Sequence, residues 1–176
     1  MMNEGIKNIL ERRSIRKYKD CMVEAKLIDE VVTAGTYAPS GMNRQSAIIL
    51  VITNKEIRNK LSALNAKIAG IDSDPFYGAP VVLVVLADKT IPTYLYDGSL
   101  VMGNMMLAAH ALGLGSCWIH RAKEEFETDE GKVLLKSLGI NGNYEGIGHC
   151  ILGYPIDNEK MEAKPRKENY IYRISE

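Results

Sequence analysis

Two stretches of the chain are apolar without a polar interruption, residues 47–52 (Ala-Ile-Ile-Leu-Val-Ile) and 79–87 (Ala-Pro-Val-Val-Leu-Val-Val-Leu-Ala). Their length and β-branched content predict buried strands, and neither approaches the roughly 20 residues that span a bilayer. Around them the apolar positions fall at helical spacing. Ile6, Ile9 and Leu10 predict a short helix ending near Ser14, with Arg12 and Arg13 in a basic last turn. Leu27, Ile28, Val31, Val32 and Ala34 predict a second helix over 24 to about 37, which Pro39 stops. Thr53-Asn54 caps a third over 55 to about 66. Asp97-Gly98-Ser99 precedes the segment 100–112, apolar nearly all round and closed by Gly113 at its C-terminal end. A helix of that kind has to be buried on several faces, at the centre of a domain or across a subunit interface.

Beyond Gly115, residues 116–119 read as a short strand or an extended loop, 129–138 as a helix closed by Gly139, and 144–153 as the last core strand. From about 157 to 176 the tail is charged and broken by Pro165, until Tyr170-Ile171-Tyr172 restores apolar character. Side chains of that type gain by packing, so the tail is expected to dock on a partner. The chain of 176 residues fits one domain, 1–176, with 46% apolar and 25% charged residues as in ordinary globular proteins.

Lysine plus arginine and aspartate plus glutamate balance at 22 each. No bulk positive field draws in nucleic acid or anionic membrane, so any anion site is local. Three cysteines without a C-x-x-C argue for a reducing compartment, and no histidine pair has zinc-site spacing, so no metal is expected. The polar opening Met1-Met2-Asn3-Glu4-Gly5 lacks the apolar core of a signal peptide, which points to the cytoplasm.

Arg12, Arg13, Ser14 and Arg16 place three guanidinium groups and a hydroxyl within five residues, a donor set suited to a phosphate; the same run also serves as a solvated basic helix end. Lys164 and Arg166, held apart by Pro165, are a second cluster or a solvated tail. The loop Ala38-Pro39-Ser40-Gly41-Met42-Asn43-Arg44-Gln45 offers amides and hydroxyls on a backbone shaped by proline and glycine. Leu112-Gly113-Leu114-Gly115 contains Gly-x-Gly, but it follows a helix, where a dinucleotide fingerprint follows a strand. His110, inside the apolar helix, and His149, beside Cys150, read as hydrogen-bonded core histidines before they read as ligands or bases. Neither Ser14 nor Ser116 sits in a nucleophile elbow.

Taken in order, these segments resemble the nitroreductase family of FMN-dependent oxidoreductases over essentially the whole chain. Arg12-Arg13-Ser14-Ile15-Arg16-Lys17-Tyr18 is similar to that family's opening motif, Ala38 to Gln45 to its second, Ala111 to Ile119 to its third, and Lys164-Pro165-Arg166-Lys167-Glu168-Asn169 to its closing one. The resemblance implies an α+β fold, a three-layer α-β-α sandwich with a central, mainly antiparallel sheet, in an intertwined homodimer with two FMN sites at the interface.

It further implies that Arg12, Arg13, Ser14, Lys164 and Arg166 surround the FMN phosphate, Arg13 with the weakest claim, and that Arg16 reaches the pyrimidine edge. Pro39, Ser40, Gly41 and Asn43 would come from the other subunit. The residues after Gly115 would run along the flavin, with Gly146 near the ribityl chain. Where larger relatives carry a glutamate and a glycine beside N5, this chain has Ile119, His120 and Arg121; the two cationic-capable side chains would favour the anionic reduced flavin. The implied activity is ping-pong transfer of hydride from NAD(P)H through N5 to an acceptor such as a nitroaromatic or a quinone. Rival readings are a flavin-binding dimer without turnover and a dehalogenating or flavin-fragmenting relative, though 67–77 is short for the lid the latter needs.

Overall fold

The computed structural model describes residues 2–156 and 162–175; the start of the charged tail, at 157–161, lies outside the described residues. Among the described residues, six α-helices and four strands run in the order α1 (Glu4–Glu11), α2 (Ala25–Thr36), β1 (Ala47–Ile52), α3 (Lys55–Ala69), β2 (Val81–Asp88), α4 (Tyr94–Ala111), β3 (Gly115–Ile119), α5 (Ala122–Glu127), α6 (Asp129–Ser137) and β4 (Tyr144–Gly153). The strands form one sheet in the order β1-β2-β4-β3, antiparallel at every pairing. β2 and β4 are central, which explains why their residues are buried on both faces.

Alternate residues of β2 feed two cores. Val81, Leu83, Val85 and Ala87 pack with Ile28 and Val31 of α2 and Met102 and Met105 of α4. Val82, Val84 and Leu86 pack with Leu61 of α3, with Phe76, and with Phe126 of α5. Period-two alternation on a sheet covered on both sides gives the three layers, with α2 and α4 on one side and α3, α5 and α6 on the other. The sheet is the antiparallel one the resemblance implies.

Several boundaries differ from the sequence reading. α1 stops at Glu11, not Ser14, because the next residues leave to pair with the edge of the sheet: the Ile15 amide donates to the Ser116 carbonyl at 2.9 Å, and Ser14 bridges Ser116 in parallel. The basic residues therefore follow the helix and do not form its last turn. α4 begins at Tyr94, so Asp97, Gly98 and Ser99 lie inside the helix they were expected to precede. Gly98 is tolerated there because β4 lies so close that a Cβ would stand 2.6 Å from Ile147. α5 has no counterpart in the sequence reading. Residues 116–119 do form a strand, and the caps at Asn54, Gly113 and Gly139 stand where the sequence places them.

Candidate functional site

The chain entering the sheet edge from α1 carries the first group of candidate donors. Arg12 ends α1 with an extended backbone, and its Nη1 is buried without a hydrogen-bond partner. Across the Ser14–Ser116 bridge, the buried Ser116 hydroxyl is likewise unpartnered. A buried donor left unmade costs about 1–3 kcal/mol, more for a charged group, so each of the two calls for a partner, and an anion suits both. Arg13 behaves differently: its Nη1 donates to the carbonyls of Leu10 and Arg12 at 2.6 and 2.8 Å, closing the end of α1. His110 of α4 lies within electrostatic reach of these residues. Burial holds its pKa below the ordinary histidine value; Glu11 opposes the shift, and Arg12 and Arg13 add to it. It is half-buried and forms no side-chain hydrogen bond among the described residues, unlike the hydrogen-bonded core histidine the sequence suggests.

Two residues beyond Ser14, Arg16 lines a cleft of about 290 Å³ together with Tyr77, Trp118, Ile119, His120 and Arg121. Its guanidinium stands over the Tyr77 ring, 5.8 Å from the centroid. Asp74, in the opposite wall, is fully engaged: its carboxylate accepts from Arg58 Nη2 and Ser62 Oγ at 2.5 Å, and from the amides of Phe76 and Gly78 at 2.9 and 2.7 Å. Burial alone would raise its pKa, but these four donors outweigh burial and hold it below the usual carboxylate value. The wall is thereby fixed, and Arg16, His120 and Arg121 line the cleft with no acidic partner among the described residues.

The Pro39–Asn43 loop occupies another part of the protomer. Pro39 and Ser40 line a second cavity of about 340 Å³ with Gln45, Ser46, Asp97 and Val101, which shares no residue with the first. Two non-glycine residues of this loop, Met42 and Asn43, and Gln45 just beyond it hold left-handed backbone with φ of 54, 55 and 48°. Strain of that kind persists only where surroundings over-determine it, and it concentrates at binding sites. Here the anchor is Asp97, only 3% exposed, which accepts from the Gly41 amide at 3.0 Å and from the Ser46 and Thr93 hydroxyls at 2.8 and 3.0 Å. Burial opposes ionisation of Asp97, yet these donors keep its pKa below the usual carboxylate value. Gly41 is required because a Cβ would meet Thr93 Oγ1 at 2.5 Å.

The remaining candidates divide. Lys164 and Arg166 are exposed, and among the described residues Arg166 Nη2 donates to the Lys164 carbonyl, at 2.7 Å. Gly146 is buried against α5, where a Cβ would collide with the Ala122 carbonyl; it lines neither cavity, and that packing accounts for the glycine. One protomer thus unites Arg16 with Ile119 and His120 and places Arg12 and Ser14 at the edge of β3, while Pro39 and Ser40 line a separate cavity. Sequence reasoning misses Asp97 and Ser116 as site residues; a carboxylate inside an otherwise apolar helix is the available signal for the first.

Comparison with known proteins gives the fold its family. The family model described as "Nitroreductase family" matches residues 9–73 and 65–154. A protein of Archaeoglobus fulgidus with the provisional name NADH dehydrogenase/NAD(P)H nitroreductase is 33% identical over 171 residues, covering 94% of each chain. The FMN reductase [NAD(P)H] of Bacillus subtilis is 27% identical over 182 residues, covering 94% of this chain and 70% of its own. A nitroreductase of Bacteroides fragilis, solved with bound FMN, superposes with a TM-score of 0.89 at 27% identity, covering 99% of this chain and 100% of that one.

Proposed function

The chain belongs to the nitroreductase family, and from that premise we propose that it is an FMN-dependent oxidoreductase that takes electrons from NAD(P)H, with its cofactor site shared between two copies. The observation that carries this reading is that two buried donors, Arg12 Nη1 and Ser116 Oγ, have no hydrogen-bond partner, one two residues before the Ser14–Ser116 bridge and the other in it. With the Ser14 hydroxyl, they fit a phosphate monoester in charge and in donor type. FMN, when bound, supplies the redox chemistry, accepting a hydride and passing electrons on.

The protein's own residues bind and orient. Arg12 and Ser14 would hold the phosphate, with Lys164 and Arg166 contributed by the tail. Arg16 would hold the pyrimidine edge, and the amides of 119–121 would line the ring. Pro39, Ser40, Gly41 and Asn43 come from the second copy in this reading, because none of them lines the cleft of Arg16 in their own protomer, where Pro39 and Ser40 line a separate cavity. Three exposed apolar surfaces support the homodimer: Ile6, Ile9 and Leu10 of α1, each more than half exposed; Tyr96 and Leu100 of α4, at 71% and 46%; and Ile171 and Tyr172 of the tail, at 68% and 81%. Among the described residues, no helix is long and apolar enough to cross a membrane.

At about 290 Å³, the cleft beside Ile119–Arg121 lies at the lower end of small-molecule sites. In this reading the flavin ring fills it, bordered by Tyr77 and Trp118, and leaves one face of the ring open. Donor and acceptor take turns on that face, where flat acceptors such as nitroaromatics and quinones can stack. The wall containing Tyr77 is short and fixed by Asp74, which disfavours the lidded dehalogenating or flavin-fragmenting alternatives. Steady-state rates measured against NAD(P)H at several quinone concentrations should give parallel double-reciprocal lines. Intersecting lines would contradict alternation of donor and acceptor at one flavin face, and no oxidation of either nicotinamide with any acceptor would contradict the enzymatic reading as a whole.

A further inference from the structure

Three fully buried polar side chains from distant parts of the chain meet behind residues 119–121: Asn65 of α3, Glu125 of α5 and His149 of β4. Asn65 Nδ2 donates to the His120 carbonyl at 2.9 Å and also to Glu125 Oε1. Glu125 Oε2 lies 3.2 Å from His149 Nε2, and His149 Nδ1 lies 3.4 Å from the Ile119 carbonyl. One cluster therefore holds two consecutive carbonyls, those of Ile119 and His120.

In a trans peptide the N–H points opposite to the C=O. Fixing the two carbonyls inward turns the next amides, those of His120 and Arg121, away from the cluster, and neither amide has an acceptor among the described residues. Arg121 also holds a left-handed backbone, φ 77°, a conformation that costs a non-glycine residue about 1–3 kcal/mol. The cluster itself is expensive: Asn65 Oδ1 is buried without a partner, and a buried carboxylate–histidine pair does not outperform well-packed apolar side chains for stability. Two costs to stability coincide with a strained segment that leaves two donors free.

We propose that Asn65, Glu125 and His149 are positioning residues that aim the His120 and Arg121 amides at the bound flavin ring, and so set its affinity and reduction potential. The inference rests on the FMN reading above, and wild-type apoprotein separates the two: failure to bind FMN or riboflavin there would count against that reading, whereas the variants test the cluster.

Two variants are needed, Asn65→Leu and the fully apolar Asn65→Leu/Glu125→Met/His149→Phe, the last retaining a ring against Phe76, whose centroid lies 5.1 Å from that of His149. The triple variant is expected to melt at or above the wild-type temperature. Both variants should bind riboflavin and FMN at least about tenfold more weakly, by equal factors, because the two amides address the ring that these ligands share. The ratio of affinities for reduced and oxidised FMN should change by about tenfold, a midpoint shift of about 30 mV for a two-electron couple. A triple variant that folds and keeps wild-type affinities and potential would overturn the proposal. Its failure to fold would do so too, because the cluster would then serve the fold and not the site.

Discussion

Arg12→Ala should weaken FMN binding by about 10- to 100-fold and leave riboflavin binding almost unchanged. The magnitude follows from one charge-assisted hydrogen bond, about 1.5–3 kcal/mol, at 1.4 kcal/mol per factor of ten. The selectivity follows from position. Arg12 stands at the end of α1, two residues before the bridge to Ser116 of β3, whose hydroxyl is equally unpartnered, whereas the groups placed to meet a ring lie further along, at Arg16 and 119–121. Because Nη1 is already buried without a partner, removing it should cost the apoprotein little stability. Arg12→Lys should fall between the two, since an ammonium keeps the charge but loses the planar fork that matches a phosphate. Fluorescence-quenching titrations of apoprotein with both ligands measure this. Equal losses for FMN and riboflavin would move Arg12 from the phosphate to the ring, and no loss for either would remove it from the site.

Leu100→Asp should convert the proposed dimer to a monomer without flavin. Leu100 is 46% exposed on α4, and Tyr96, one turn earlier, is 71% exposed. A Cβ built on Gly103, one turn later, meets nothing within 4 Å, so this face of the helix is open along its length in a single protomer. Burying a leucine contributes about 1.5–3 kcal/mol, and in a twofold interface the substitution enters twice, so dimerisation should weaken by about three orders of magnitude or more. The opposite face of α4, with Met102 and Met105 fully buried, is untouched, so the protomer should keep its fold. Light scattering after size exclusion, read together with flavin absorbance, gives both answers. A monomer that retains FMN would contradict a shared site; a persistent yellow dimer would place the interface on another face.

How much of this is legible in the sequence depends on whether the signal is local. The strands at β1 and β2 are plain because each is an apolar run without a polar gap. Helix ends are legible where glycine closes them, at Gly113 and Gly139, whose backbones are left-handed at φ 74 and 72°. The start of α4 is misleading because Asp97-Gly98 has the composition of a cap. In the fold the carboxylate anchors the Pro39–Asn43 loop, and the glycine admits Ile147. α5 is invisible because six residues are too few for propensity or periodicity to decide, and it forms where Ala122 and Phe126 find the core. The order β1-β2-β4-β3 is a product of long-range pairing that no window of sequence contains.

The candidate site shows the same division. The motif at Arg12, Ser14 and Arg16 is identifiable because its donors are contiguous, and the family resemblance gives them an order. That Arg12 is buried and unpartnered while Arg13 folds back onto the carbonyls of α1 is decided by a turn in the backbone. The cluster of Asn65, Glu125 and His149 is drawn from three elements, so each residue alone reads as ordinary core or surface.

The most direct test of the central claim is anaerobic mixing of the purified yellow protein with NADH and, separately, with NADPH. At least one nicotinamide should bleach the flavin absorbance near its visible maximum within the turnover time, and adding a quinone or nitroaromatic should restore the yellow form. A protein that holds FMN but stays yellow with both nicotinamides would be a flavin-binding dimer without turnover, and would contradict that claim.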